Sequence, residues 1–187
     1  MTGIYEFNTE RLKLRQWRLD DYPMFAEMNA CPKVMEYFPA PLSRTESDTF
    51  AAKISSLIAK RGWGLWAVEE KLNKSFIGFT GLHETPTELS FSPAIEIGWR
   101  LSEGSWGNGY ATEAAKRVLR FAFEQLQLNE VVSFTSLTNE PSQAVMRRID
   151  MRNANCNFNH PLVPADSELN EHVLYKINKQ QWDEHGL

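Results

Sequence analysis

The stretch from Ile95 to Leu126 constrains the fold of this chain more than any other. Ile95, Ile97, Trp99 and Leu101 alternate with Glu96, Gly98 and Arg100, and this period of two predicts a strand with one apolar face. Ala111, Ala114, Ala115, Val118, Leu119, Ala122 and Leu126 then recur at steps of three and four, which predicts an amphipathic helix, with Lys116, Arg117, Arg120 and Glu124 off the apolar stripe. Between the two periods lies Ser102-Glu103-Gly104-Ser105-Trp106-Gly107-Asn108-Gly109-Tyr110. Glycines let neighbouring amides turn toward one point, and the helix behind them adds unpaired N–H groups and the positive end of its dipole. Strand, glycine turn and helix in that order form a place for a linked diphosphate. The same glycines also suit a plain tight turn. The spacing is not the GxGxxG of dinucleotide folds, and no GxxxxGK[ST] is present.

Composition narrows the class. With 42% hydrophobic and 12% aromatic residues in 187, the chain can build a core, and it reads as one domain over residues 1–187. A formal charge of −4 argues against a general nucleic-acid binder. Cys31 and Cys156 show no metal or redox spacing, which fits reduced thiols. The start, Met1-Thr2-Gly3-Ile4-Tyr5-Glu6, lacks the pattern of a secretory signal, and no apolar run approaches the ~20 residues of a membrane helix. The expectation is a cytoplasmic protein without membrane or nucleic-acid partners.

Along the chain, strands are expected at 9–15, 63–69, 76–82, 95–101, 130–135, 155–160 and 172–177. Helices are expected after Asp20 or Asp21, from Ser43 or Thr45 to Gly62, over 111–126 and over 141–151. Residues 83–93 read as a loop, and the tail from Asn178 as polar and peripheral. The order describes a mixed α/β domain.

Several segments in order resemble the GNAT superfamily of N-acetyltransferases, most closely the RimJ/RimL-like branch that contains the ribosomal-protein N-terminal acetyltransferases. They are 9–15, Ile77-Gly78-Phe79-Thr80-Gly81-Leu82, 95–101, Trp106-Gly107-Asn108-Gly109-Tyr110-Ala111-Thr112-Glu113-Ala114, Thr138-Asn139-Glu140-Pro141-Ser142, 158–164 and His172-Val173-Leu174-Tyr175. The resemblance implies a mixed, mostly antiparallel sheet of about seven strands with helices on both faces. It implies acetyl-CoA as cofactor and an amine-bearing acceptor, a peptide N-terminus or a small molecule, attacked directly without a covalent enzyme intermediate; the protein would be a monomer or homodimer. The family's Q/R-x-x-G-x-G/A loop falls on Trp106, Gly109 and Ala111, with tryptophan at its first position. Asp150 stands where the family has a glycine in a left-handed helix exit.

Cofactor binding is thereby expected at Trp99, Leu101, Trp106, Gly107, Asn108, Gly109, Tyr110, Ala111, Thr112, Asn139 and Ser142. A main-chain N–H near Trp99–Leu101 would face the acetyl oxygen, and Ser142 would donate to the leaving sulfur. Asn139 and Ser142 also fit plain helix capping. For the base, Glu96, Glu84 and His83 are candidates, although Glu96 equally suits pairing with a basic residue across the sheet. Tyr37, Phe38 and His83, with the 83–93 loop, are expected to line the acceptor pocket. His160 and His172 read as packed side chains, with no metal. A non-catalytic acyl-CoA sensor or scaffold shares the same loop and needs no base; a nucleotide-binding domain of another fold is the remoter reading.

Overall fold

The computed structural model describes residues 3–185. Nine strands form one sheet in the order β1-β2-β3-β4-β5-β6-β9-β7, with β8 paired to β9. The strands are β1 (Phe7–Asn8), β2 (Leu12–Arg15), β3 (Leu65–Glu70), β4 (Ser75–Glu84), β5 (Ile95–Leu101), β6 (Glu130–Ser136), β7 (Arg152–Asn153), β8 (Phe158–Asn159) and β9 (Glu171–Asn178). The helices are α1 (Asp21–Ala30), α2 (Arg44–Arg61), α3 (Tyr110–Glu124), α4 (Glu140–Arg148) and α5 (Lys179–His185). Every strand pair is antiparallel except β5 with β6.

The two faces of the sheet are read from neighbouring residues. Trp66 packs its ring edge-on to Phe121 of α3, at 5.6 Å. The next residue, Ala67, pairs with Phe79, whose ring meets Phe25 of α1 and Phe50 of α2. Successive strand side chains point to opposite faces, so α3 covers one face and α1 with α2 the other. On α3, Ala114, Ala115, Val118, Leu119, Phe121, Ala122 and Phe123 are all fully buried. Ala111 and Leu126, placed on the stripe by periodicity, are only partly buried against that core.

Helix ends follow their chemistry. Ser43 and Glu46 form a reciprocal capping box at the start of α2, and Gly62 closes it at φ 85°. Asp150 takes φ 62° after α4, and the Met151 amide reaches back to the Met146 carbonyl at 3.0 Å. The aspartate thus makes the left-handed exit that glycine makes in the family.

Three features differ from the sequence reading. The sheet has nine strands rather than about seven, because β1 and β7 are two-residue pairings too short to show a period; β8, also two residues, lies within the strand expected at 155–160. Strand β4 continues through His83 and Glu84, which pair with Glu96 and Ile95, so those two residues lie on a strand and not in a loop. The tail is not peripheral: α5 buries Trp182 to 3% exposure, stacked on Phe123 at 5.5 Å. Gly186 and Leu187 lie outside the described residues.

Asp150→Gly is expected to raise stability by about 1 kcal/mol, about 2–4 °C in Tm, by removing the Cβ from a left-handed residue. A calorimetric melt checks this; a lower Tm would show that the aspartate side chain stabilises the exit.

Candidate active site

The loop before α3 leaves its amides free. Its last internal bonds are Ser105 N–H to Ser102 and Trp106 N–H to Glu103, and the helix ladder opens with Glu113 N–H to the Gly109 carbonyl. Among the described residues, the N–H groups from Gly107 through Thr112 donate to no protein acceptor. Gly107 and Gly109 have φ of 76° and 78°, a backbone shape that favours glycine, and no side chain caps the helix. A Cβ on Gly107 would meet nothing within 4 Å, so the amides are approachable from outside.

A brace holds this loop in place. Arg11 donates through Nη1 to the Asn108 carbonyl at 2.9 Å and through Nε to Glu113 at 2.7 Å. Thr9 and the Arg11 amide also donate to Glu113. Burial works to raise the Glu113 carboxyl pKa, but these donors outweigh it and hold it below the ordinary carboxylate range. Asn108 turns its side chain back onto the Ser105 and Trp106 carbonyls and does not line the cavity described below, unlike the rest of the expected cofactor set.

The sheet opens beside this loop. Strands β5 and β6 register at Glu96 and Val132. The Ser133 hydroxyl then donates to the Ile97 carbonyl at 2.9 Å. Main-chain groups two residues apart point the same way along a strand, so Trp99 and Leu101 also turn theirs toward β6. There β6 has moved away. Leu101 gives its carbonyl to Trp106 Nε1 at 2.9 Å; the Trp99 and Leu101 N–H groups face the gap.

Across the gap stands α4. Asn139 caps it by accepting from the Ser142 amide at 3.1 Å and donates to Thr135 at 2.8 Å. The capping reading of Asn139 is therefore correct as geometry. The Ser142 hydroxyl has no hydrogen-bond partner among the described residues and lines the cavity.

On the α1/α2 face, Glu96 is 8% exposed and meets His83 Nε2 at 3.1 Å. It does pair with a basic residue across the sheet, its own register partner. His83 Nδ1 lies 3.1 Å from the Glu84 carbonyl, which can only accept, so Nδ1 carries a proton. A second proton on Nε2 is what the Glu96 carboxylate favours. Burial opposes the charge, but Glu96 outweighs it, and the His83 pKa is raised above its ordinary 6.5. Glu84, by contrast, is 74% exposed and lies 3.5 Å from Arg61. Phe134, His160 and His172 also line the cavity, the two histidine rings 4.8 Å apart, and Phe158 packs against Phe134 and Phe91. Burial lowers the pKa of both histidines, and no group of three or more possible metal ligands exists among the described residues.

One cavity of about 1360 Å³ connects these parts and takes in Glu96, His83, Glu84, Tyr37 and Phe38 together with Trp99, Leu101, Gly107–Thr112 apart from Asn108, Asn139 and Ser142. That exceeds the ~300–1,000 Å³ of a single small-molecule site, which suits two substrates meeting in one space.

The family model of the acetyltransferase (GNAT) domain matches residues 11–152. The chain belongs to the GNAT acetyltransferase family. It is similar to FsC-acetyl coenzyme A-N(2)-transacetylase of Aspergillus fumigatus, 29% identical over 182 residues that cover 94% of this chain and 77% of that protein. It is similar to the uncharacterized N-acetyltransferase YnaD of Bacillus subtilis, 26% identical over 94% of this chain and 98% of that one. Among solved structures, a GNAT acetyltransferase from Bacillus anthracis superposes with TM-score 0.78 at 24% identity, covering 94% of this chain and 99% of the other. An acetyltransferase from Agrobacterium tumefaciens gives 0.75 at 28%, covering 95% and 96%. The protein is thus an N-acetyltransferase, and acetyl-CoA is the co-substrate of its family. The free amides of Gly107–Thr112 and the open strand edge fit that molecule's diphosphate and its amide-containing arm.

Sequence reasoning placed most of these residues but missed Arg11, Glu113 and the Phe134–Phe158–His172 cluster, because each acts through a partner distant in sequence. Gly109→Val is expected to raise the KM for acetyl-CoA about tenfold or more with a smaller effect on Tm; unchanged cofactor affinity would contradict the loop's role. The His83–Glu96 pair, with a raised histidine pKa, contributes stability that is full below pH 6.5 and fades as pH rises through the folded value. The Tm deficit of His83→Gln should therefore shrink between pH 6 and pH 9; a deficit that grows would reverse the sign.

Proposed function

We propose that the protein transfers the acetyl group of acetyl-CoA to a primary amine by direct attack, with Glu96 as the base and Ser142 as donor to the departing sulfur. The observation that carries this reading is the single cavity that joins free main-chain donors at one end to a buried carboxylate at the other. The Aspergillus fumigatus relative is by name an acetyl-coenzyme A N(2)-transacetylase, an enzyme of the same chemistry.

Acetyl-CoA supplies the activated thioester; the chain supplies the rest. The amides of Gly107–Thr112 bind negative phosphate oxygens, and the Trp99 and Leu101 N–H groups, at the open edge of β5, pair with the bound molecule and polarise its carbonyl. Glu96 accepts the proton of the attacking amine, directly or through water. It suits this better than Glu84, which is mostly exposed and lies near Arg61. The Ser142 hydroxyl has no other partner among the described residues and donates to the thiolate, a leaving group of intrinsic pKa near 8.5. An α-amine, with pKa about 7.7–8.0, is partly neutral at pH 7 and asks little of the base, whereas a lysine at about 10.4 asks far more. This favours an α-amine, of a peptide as in the RimJ/RimL-like branch or of a small molecule, as acceptor. Nothing in this chemistry calls for a membrane, and a cytoplasmic enzyme fits it.

Release of free thiol from acetyl-CoA in the presence of a peptide and amine panel tests the reaction; tight CoA binding with no thiol from any acceptor would instead favour the sensor reading. Glu96→Gln should lower kcat about 100-fold, the contribution of one general base, with the KM for acetyl-CoA little changed. Protonated His83 engages Glu96, so activity should rise through a pKa above 6.5, and His83→Gln should remove that limb. A profile that His83→Gln leaves intact would remove the pair from the mechanism.

A further inference from the structure

Arg100 is a partly buried cation with no anionic partner among the described residues. It extends from β5 on the face of Glu96 and Gly98, away from α3 and the phosphate-binding amides, and it lines the cavity. Its Nη1 donates to Asn29 Oδ1 at 2.7 Å. Asn29 is fully buried and is fixed by donating to Ser47 Oγ at 2.9 Å. The guanidinium lies 4.0 Å over the Phe38 ring and 5.5 Å from Phe79. Its position is therefore set before any ligand arrives. Yet no carboxylate lies within ion-pair distance, Nε is shielded from water without an acceptor, and Nη2 has no hydrogen-bond partner among the described residues. Burial disfavours the charge and pushes the pKa down to about 10, which still leaves the group cationic at neutral pH.

The contrast with Arg15 decides what this means. Arg15 is buried to 2% exposure, deeper than the partly buried Arg100, and it meets Asp21 through both terminal nitrogens at 2.8 Å and Glu69 through Nε at 2.7 Å. At Arg15 the fold matches a buried arginine with two carboxylates; the partly buried Arg117 lies outside the cavity over the Phe7 ring at 3.9 Å. At Arg100 the partner is missing along the Nε–Nη2 edge, one of the two guanidinium edges that present paired N–H groups, while Nη1 is committed to Asn29. That edge matches the two oxygens of a carboxylate.

We propose that the acceptor is an amine that also carries a carboxylate, and that Arg100 receives the carboxylate while the amine lies beside Glu96; this rests on the acetyl-transfer reading above. Glu96 and Arg100 are four residues apart on one face of β5, roughly 13 Å between Cα atoms at ~3.3 Å per residue, and their side chains shorten the gap. Gly98 lies between them without a side chain. A Cβ there would stand 4.0 Å from both Glu96 Oε1 and His83 Nε2, so the missing atom leaves floor space for the acceptor next to the base. A monoanion balances the single charge of Arg100, whereas a dianion such as phosphate would add a second negative charge facing Glu96. Phe38, 37% exposed, lies 4.0 Å from the face of the guanidinium and so does not occupy the free edge.

The test uses acetyl-CoA with glycine, β-alanine, 4-aminobutanoate, 5-aminopentanoate and lysine, each beside its amide, with thiol release as readout. The wild-type protein should prefer acid over amide by about tenfold or more in kcat/KM for at least one spacing, through KM more than kcat. Arg100→Gln should erase that preference, and Arg100→Lys should keep part of it; the Gln variant should melt no lower than wild type, since it removes an unpaired, partly buried charge. Acids and amides used equally by the wild type, or a variant that slows both equally, would overturn the proposal. If no acceptor releases thiol, calorimetry on the CoA-loaded protein separates the two ideas. Acid binding that Arg100→Gln abolishes keeps the carboxylate site and sinks acetyl transfer; no acid binding sinks the carboxylate site as well.

Discussion

The site exists because one strand pair comes apart. Strands β5 and β6 are the only parallel neighbours among the described residues, and their register is confined to Glu96 and Val132. Beyond it, Ser133 spends its hydroxyl on the Ile97 carbonyl, and β6 turns toward β9, with which it pairs along its whole length. Strand β5 keeps its own full pairing with β4. Each strand is thus held from its outer side, and the sheet can gape between them without losing its frame. An extended ligand that carries amides completes the ladder there, so binding replaces hydrogen bonds that the protein alone leaves unmade.

Around that opening the fold separates structural charge from working charge. Arg15 with Asp21 and Glu69 ties α1 to β2 and β3 in the interior, each ion fully matched. Arg11 and Glu113 do the same at the rim, where they lock the first turn of α3 to the loop at Thr9. Neither cluster lines the cavity; both tie together the elements around it. Inside the cavity the pattern changes: His83 and Glu96 share a proton position, and, among the described residues, Ser142 has a free hydroxyl and Arg100 has no anion. Unsatisfied groups gathered in one space mark where a substrate supplies the missing partners; outside it, among the described residues, the Ser136 hydroxyl is the other buried side-chain group left without one.

Much of this was legible in the sequence wherever a local rule decides the outcome. The change of period at Ile95–Leu126 located β5, the glycine turn and α3, and Ser43 with Gly62 bounded α2 through caps that depend on neighbours only. Asp150 was placed in a left-handed exit by the family resemblance, which has a glycine there, and the chain takes that conformation at φ 62°. What stayed hidden depends on distant partners. A strand of two residues such as β7 exists only because β9 lies beside it. The polar tail becomes α5 because Phe123 offers Trp182 a place to stack. Glu96 was identified, but its register partner was not, since β4 runs two residues further than its apolar pattern. Arg100 was assigned its face by alternation; that it lacks a counter-ion is a fact of three dimensions.

The claim on which the account turns is that the main-chain amides of Gly107–Thr112 grip the linked phosphates of acetyl-CoA. Titration of the unlabelled coenzyme into ¹⁵N-labelled protein, followed by amide resonances, tests it residue by residue. The account predicts that these amides shift together and most strongly, with Trp99 and Leu101 next, at a common saturation point. Saturable binding that leaves the amides of Gly107–Thr112 unmoved would contradict it.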